Sequence, residues 1–132
     1  MEKKKKDVNF KGYLIESLNV QKEKDISRDK QGTFNLKYRC QENKEKKNIF
    51  RVSLSLEDLY TNKSRINITL CGFFEFLGEF NDDEKDYFLR ISAPAIIYPY
   101  IRTIVSNITA FDIDETAILP IINFANVEFK EN

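Results

Sequence analysis

The sequence predicts an α+β fold in which four antiparallel strands precede a short helix and a long helix. Apolar residues alternate with polar ones through much of the first 80 residues, which is typical of strands with one buried face. Between residues 91 and 110 they recur instead at intervals of one and three, which is the spacing of one helix face. A chain of 132 residues corresponds to one domain with its own core.

The first predicted strand runs from about Phe10 to Val20 and is apolar on both faces. Simple alternation places Tyr13 and Ile15 on one face, and Leu14 and Leu18 on the other. A strand that is apolar on both sides is either covered on both or pairs with another subunit.

Three further segments alternate with one apolar and one polar face: TFNLKYRCQ, FRVSLSLE and RINITLCGFFEF. Polar stretches separate the four strands: a crossover, EKDISRDKQG, then a charged hairpin loop, CQENKEKKN, then a turn, LYTNKS. Gly72, inside the fourth strand, predicts a bulge or the close approach of another backbone.

After Phe80 the pattern becomes helical. NDDEKDYFL places carboxylates at the start of a short helix, where they interact favourably with the helix macrodipole. Pro94 suits the first turn of the long helix, whereas Pro99 either kinks that helix or marks its true beginning. The tail, AILPIINFANVEFKEN, is predicted to be an extended segment laid over the core. The apolar face of the long helix comprises Ile96, Ile97, Tyr100, Ile101, Ile104, Val105 and Ile108.

Composition argues against an enzyme, because histidine, the commonest general base and metal ligand, is absent. Net charge is zero, but the first 50 residues carry +6 and the remainder −6. We expect residues 1–9 to be a basic disordered tail and residues 10–132 a single domain. No signal peptide or membrane-spanning stretch is evident, so we expect a cytoplasmic protein without membrane insertion.

No cofactor is expected. Cys40 and Cys71 lie outside any CxxC pattern, so we expect reduced, packed thiols. The acidic clusters NDDEKD and DIDE lack the spacing of an EF-hand, so we expect no metal there. Lysines alternate with aromatic residues on opposite strand faces, which does not favour binding of nucleic acid. A small β-rich nucleic-acid-binding module is retained as the alternative from a different class.

Between residues 72 and 124 the segment GFFEFLG is followed by a proline-bearing helix and then by a Pro-x-Asn-Phe-type motif. The residues that define the helix and the motif are Pro94, Ile97, Tyr98, Pro99, Tyr100, Arg102, Pro120, Asn123 and Phe124. In these residues and in their order the chain resembles SecB, the family of export chaperones, whose last strand is similar to GFFEFLG.

The resemblance implies a four-stranded antiparallel sheet with helices on one face, two subunits that join their sheets, and a tetramer built as a dimer of dimers. A dimer is the alternative assembly. It also implies a holdase without catalytic activity that binds unfolded polypeptides in apolar grooves. We expect client binding by Phe73, Leu77, Phe124, Val127 and Phe129. We expect subunit contacts at Tyr13, Ile15, Ile97, Tyr100, Ile101, Ile104, Val105 and Ile108.

The chain departs from the export members of the family in two ways. Those members end in a second long helix and a tail that engages the SecA motor, whereas this sequence ends soon after Phe124. Their outward sheet face is acidic and docks SecA, whereas Lys37, Arg39 and Arg51 are predicted to lie outward here. These departures leave a SecB-type fold better supported than a SecB-type role in export. Whether the protein engages SecA stays open. A chaperone dedicated to one antitoxin is the alternative within the family.

Overall fold

The computed structural model describes residues 6–110 and 117–129. A four-stranded antiparallel sheet is followed by a helical segment that packs on one of its faces, as predicted. The strands are β1 (Asp7–Lys22), β2 (Asn35–Glu42), β3 (Ile49–Tyr60) and β4 (Ser64–Leu77). The helices are α1 (Asp82–Tyr87), a π-helical turn (Phe88–Ser92) and α2 (Ala93–Ala110), and a 3-10 turn follows at Phe124–Asn126.

The strands are ordered β1-β4-β3-β2, so β1 and β2 form the two edges of the sheet. The predicted crossover carries the chain from one edge to the other, and two hairpins bring β4 back beside β1. The pairing of β1 with β4 runs from Asp7 opposite Leu77 to Lys22 opposite Ser64. Residues 7–9, which the sequence assigned to the disordered tail, therefore belong to the sheet.

The core lies between α2 and the faces of β3 and β4 that it covers. Gly72 explains how closely the helix approaches, because a Cβ atom there would lie 3.1 Å from the Phe74 ring and 3.2 Å from the Ile97 side chain. The neighbours are side chains, and neither pairing of β4 is interrupted at Gly72, so the predicted bulge or backbone contact is wrong. The largest fully buried core side chains include Val52, Leu54, Leu56, Ile66, Ile68, Leu70, Phe74, Ile97, Ile101 and Val105.

The helical segment runs from α1 to α2 without a break in the helical conformation. Asn81 caps α1 with a reciprocal pair of hydrogen bonds: its side chain accepts from the Glu84 amide at 2.8 Å, and the Glu84 carboxylate accepts from the Asn81 amide at 3.1 Å. Pro94 is the second residue of α2, the predicted position, but the π-helical turn leads directly into α2, so Pro94 does not lie at a free helix start. Pro99 lies inside α2, so it does not mark the beginning of the helix.

Candidate functional site

Strand β1 leaves a row of large apolar side chains uncovered on the face of the sheet that carries the helices. We call Tyr13, Ile15, Leu18 and Val20 the β1 row, and each is 42–48% exposed. They lie opposite residues of β4 that point to the same face, and those β4 residues are buried beneath α2. The helix covers β3 and β4 and stops short of the edge strand, which leaves the β1 row open to solvent.

A shift in the register of β1 assembles this row. Between Ile15 and Ser17 the strand gains one residue relative to β4, so the side-chain alternation resets at Glu16. Leu18 consequently joins Tyr13 and Ile15 instead of facing away with Leu14, and the predicted division of this strand is wrong at Leu18. Simple alternation also gave no role to Val20, because a bulge at Glu16 has no signature in the sequence.

The apolar face of α2 is divided between the core and the surface. Ile97, Ile101 and Val105 have no exposed surface, so these predicted subunit contacts belong to the chain's own core. Tyr100 and Ile104, like Ile96 and Ile108, are half-buried at the margin of that core. The Tyr100 ring lies 4.4 Å from the ring of Tyr13, so the margin of α2 is continuous with the β1 row.

Residues 117–129 lie over the core without forming an α-helix, as predicted, and include the 3-10 turn at Phe124–Asn126. Of the predicted client-binding residues here, Phe124 is 2% exposed and packs edge-on against Tyr98, with ring centroids 5.6 Å apart. Phe129 stacks on Tyr38 at 5.0 Å, and Val127 is half-buried. Phe124 is therefore part of the core in this conformation and would contact a client only if the tail moved.

Two further tail residues that sequence reasoning overlooked are almost fully exposed. Ile118 is 81% and Ile121 is 84% exposed, the highest values among the large apolar side chains of the described residues. Nothing in the pattern AILPII distinguishes these two isoleucines from the buried Leu119, so no signal in the sequence indicates their exposure.

Shallow depressions lie on either side of this part of the tail. One, of about 290 Å³, is bordered by the crossover at Gln31 and Gly32, by residues 59–62 and by the tail. The other, of about 390 Å³, lies along the polar side of α2 and is bordered by Arg102 and Ser106. Ile118 and Leu119 border both depressions and separate them.

The opposite face of the sheet is polar and its charges are paired. Glu16 accepts hydrogen bonds from the Arg51 guanidinium and, at 3.2 Å, from Ser53. Burial acts to raise the pKa of Glu16, but the hydrogen bond and charge of Arg51 outweigh it and hold the pKa below its ordinary value. Further pairs join Lys37 to Glu57 at 3.1 Å and Lys11 to Glu75 at 3.7 Å. This face therefore carries both signs of charge in close pairs.

Phe73 and Leu77, the remaining predicted client-binding residues, lie on this polar face. The Arg51 guanidinium lies over the Phe73 ring, 5.7 Å from its centroid, and Leu77 is exposed near the end of β4. The sheet separates them from Phe124, Val127 and Phe129, so the five predicted residues do not line one groove.

The two cysteines are free thiols, half-buried at position 40 and buried at position 71. Burial raises the pKa of both thiols, which keeps them protonated. Within residues 6–110 and 117–129, no three acidic or cysteine side chains converge as metal ligands would. The DIDE cluster, residues 112–115, lies outside the described residues. No helix in the described part of the chain is long and apolar enough to span a membrane.

Comparison with solved structures shows the same fold in a known chaperone. The structure resembles the SecB-like chaperone of Mycobacterium tuberculosis, which was solved in complex with a ChAD peptide from the HigA1 antitoxin. The TM-score is 0.63, the sequence identity is 15%, and the match covers 87% of each chain. At this identity the likeness establishes the fold.

Comparison of sequences leads to the family. An uncharacterized protein of Methanocaldococcus jannaschii is 37% identical over 62 residues, which are 47% of this chain and 39% of that protein. The aligned part is thus well under half the length of that relative. The family model described as preprotein translocase subunit SecB matches residues 6–131, and the chain therefore belongs to the SecB family.

Proposed function

We propose that this SecB-family protein is a holdase that binds non-native polypeptides through exposed apolar surface. The observation that carries the proposal is the apolar surface at the tail, where the exposed Ile118 lies between two depressions, because we assign the β1 row to contacts between subunits. Large contiguous apolar patches on a folded protein mark surfaces that bind other chains. Burial contributes about 25 cal/mol per Å² of apolar area, so several modest contacts together retain a flexible chain. The absence of histidine and of a nucleotide-binding motif fits binding without catalysis.

The β1 row supports assembly with other subunits. An edge strand with an apolar face is a natural site for pairing with a second copy, and Tyr100, Ile104 and Ile108 would extend that interface. We retain these residues with Tyr13 and Ile15 as the proposed subunit contacts. An assembly of four subunits would align the client sites, so that a client bound at one site meets the next at high effective concentration.

The proposed client site lies at the tail, where the two depressions adjoin Ile118 and Leu119. Val127 and Phe129 lie on the same side of the sheet and extend the apolar surface toward β2. Phe73 and Leu77 would form a separate contact area on the polar face. Its apolar area is interrupted by Arg51, so we expect it to contribute less to binding.

A dedicated chaperone for one antitoxin is the second candidate. It is favoured by the polar sheet face, whose paired charges differ from the acidic surface expected of a member that docks SecA. Coexpression with a neighbouring toxin–antitoxin pair tests it, since a dedicated chaperone relieves toxicity and a general export chaperone does not. Binding of the purified protein to SecA tests the export role directly.

A nucleic-acid-binding module, the alternative from a different class, would require a surface with net positive charge. Cationic side chains of the sheet face are neutralised by Glu16, Glu57 and Glu75, which leaves little net charge to attract phosphates. Binding of a mixed-sequence oligonucleotide that weakens steeply with added salt would support that alternative.

The holdase proposal is tested by aggregation of a denatured protein. Rhodanese unfolded in guanidinium is diluted into buffer with increasing amounts of the chaperone, and light scattering is recorded. We expect aggregation to be suppressed near one assembly per rhodanese chain, without ATP. No suppression by a protein that keeps its native assembly would reject the proposal. Serum albumin at equal mass is the control for nonspecific coating.

A further inference from the structure

The tail between Ala117 and Phe124, which we call the tail segment, is attached to α2 in the manner of a bound peptide. Its main chain is held by side chains of the helix. Ser106 donates to the Ala117 carbonyl at 3.2 Å, and the Ala117 amide donates to the Thr109 hydroxyl at 2.8 Å. Tyr98 donates its hydroxyl hydrogen to the Pro120 carbonyl at 2.7 Å. Contacts of this kind recognise any extended chain, because they do not depend on its side chains.

Some side chains of the tail segment are buried and others point into solvent, as in a peptide bound in a groove. Leu119 is 4% exposed and is inserted next to the core, as Phe124 is, while Ile118 and Ile121 project into solvent. The backbone–backbone hydrogen bonds found within residues 117–129 are local and connect positions 123–127 to each other. In the described chain the tail segment is therefore attached by two buried apolar anchors, by the half-buried Ala117 and Ile122, and by three side-chain hydrogen bonds, without pairing to the sheet.

The tail segment also divides what would otherwise be one groove. Ile118 and Leu119 form the wall between the depression at the crossover and the depression along α2. Moving them away would join the two depressions into one trough that runs past Ser106, which borders the depression along α2 and donates to the Ala117 carbonyl. The hydroxyl groups of Tyr98 and Thr109 would lose their main-chain partners in the tail segment at the same time.

We propose that the tail segment is an internal competitor that occupies part of the client groove and is displaced when an unfolded polypeptide binds. This inference rests on the proposed holdase function and identifies its regulation. The ligand is an extended apolar stretch of polypeptide, which takes the positions of Leu119 and Phe124. Segments attached by few contacts open more readily than the core of a fold, so displacement does not require global unfolding.

Competition has a measurable consequence for affinity. When only a fraction of molecules has the groove open, the apparent dissociation constant is the intrinsic one divided by that fraction. Weakening the attachment of the tail segment, while leaving Tyr98, Ser106 and Thr109 intact, therefore tightens client binding.

The test compares two substitutions in the tail segment. Leu119→Ala removes a buried anchor, and Ile121→Ala removes a side chain of the same volume that is exposed. The probe is reduced, carboxymethylated α-lactalbumin, a permanently unfolded chain, and its binding is measured by fluorescence anisotropy. We expect Leu119→Ala to bind about tenfold more tightly than the wild type and Ile121→Ala to bind like the wild type.

Amide hydrogen exchange at Ala117 provides a second readout in the unaltered protein. The Ala117 amide is protected while it donates to Thr109, so displacement exposes it to solvent. We expect exchange at Ala117 to accelerate when α-lactalbumin saturates the wild type. Unchanged or slower exchange with the client bound would overturn the inference and make the tail segment a fixed wall of the groove.

The outcomes separate the two proposals. Equal affinity of all three proteins for α-lactalbumin, or weaker binding by Leu119→Ala with its fold intact, overturns internal competition and leaves the holdase function standing. Failure of all three proteins to bind overturns the holdase function, and the inference with it. Should Leu119→Ala fail to fold, the exchange measurement on the wild type decides alone.

Discussion

Strands β1 and β4 both place apolar side chains on the face of the sheet that carries the helices, but those of β4 are buried and most of those of β1 are exposed. Ile15 lies opposite Leu70, Leu18 opposite Ile68 and Val20 opposite Ile66. The β4 residues are at most 1% exposed, whereas their neighbours in β1 are more than 40% exposed. The difference arises because a single helix spans about two strands, and α2 lies over β3 and β4.

The comparison shows which apolar residues serve folding and which remain for another chain. Residues under α2 are already buried, so binding of a partner removes no further apolar surface of theirs from water. Residues of the β1 row lose apolar exposure only when a second copy or a client covers them. Three changes test this division, in order of decreasing effect.

The largest difference is expected between Leu70→Ala and Ile15→Ala. Leu70 fills the core, so its truncation is expected to lower the free energy of unfolding by about 2–5 kcal/mol through lost burial and a residual cavity. Ile15→Ala removes exposed surface and is expected to cost less than about 1 kcal/mol in the single subunit. Urea unfolding at low protein concentration measures both. Similar losses for the two variants would mean that β1 is covered within its own chain.

Charges in the β1 row are expected to disrupt assembly. Ile15→Lys combined with Leu18→Lys would bury two ammonium groups in the proposed interface, and we expect dissociation to increase at least about a hundredfold. Sedimentation velocity measures the shift to smaller species. Gln21→Lys, on the other face of the same strand, is the control and should leave the assembly unchanged. A wild type that sediments as a single subunit would contradict the proposed interface.

The smallest effect concerns the polar face of β1, where Glu16 already has its partners within the chain. Glu16→Gln is expected to lower the free energy of unfolding by about 1 kcal/mol at pH 7 by weakening the hydrogen bonds from Arg51 and Ser53. Since folding lowers the pKa of Glu16, this stabilisation is complete above its ordinary pKa of about 4.3. It is lost as pH falls through the lower folded value.

The difference between the wild type and Glu16→Gln should therefore be full at pH 7 and shrink below about pH 4.3. Urea unfolding across that range measures it. Glu79→Gln, the same change at an exposed carboxylate, is the control. A difference that stays constant into acid would show that the carboxylate charge of Glu16 contributes nothing to the stability of β1.

Several features of the fold were predictable because they depend on local patterns. Alternation located β2, β3 and β4 to within a few residues. The acidic segment that follows Asn81 was correctly identified as the start of α1. The position of Leu18 was not predictable, since one added residue at Glu16 reverses every side chain beyond it. The role of Gly72 was also misread: the glycine accommodates side chains of α2 and β4, and a sequence does not show which helix will cross which strand.

The candidate site was predicted less well than the fold. The apolar face of the long helix was recognised from the sequence. Which of its residues are buried depends on the rotation of α2 about its axis, which buries Ile97, Ile101 and Val105. The same rotation leaves Tyr100, Ile104 and Ile108 half-buried at the margin of the core. The attachment of the tail segment by Tyr98, Ser106 and Thr109 was not predicted. Hydroxyl groups on a helix give no sequence signal of the main chain that they bind.

The class of fold, the order of its elements and the family resemblance follow from the sequence, because periodicity and motif spacing are properties of neighbouring residues. Which apolar side chains are buried and which are exposed depends instead on how the elements pack. Burial depends on where one helix crosses a sheet of four strands, and that placement is set by contacts between residues far apart in the chain. The exposed β1 row and the tail segment result from that placement.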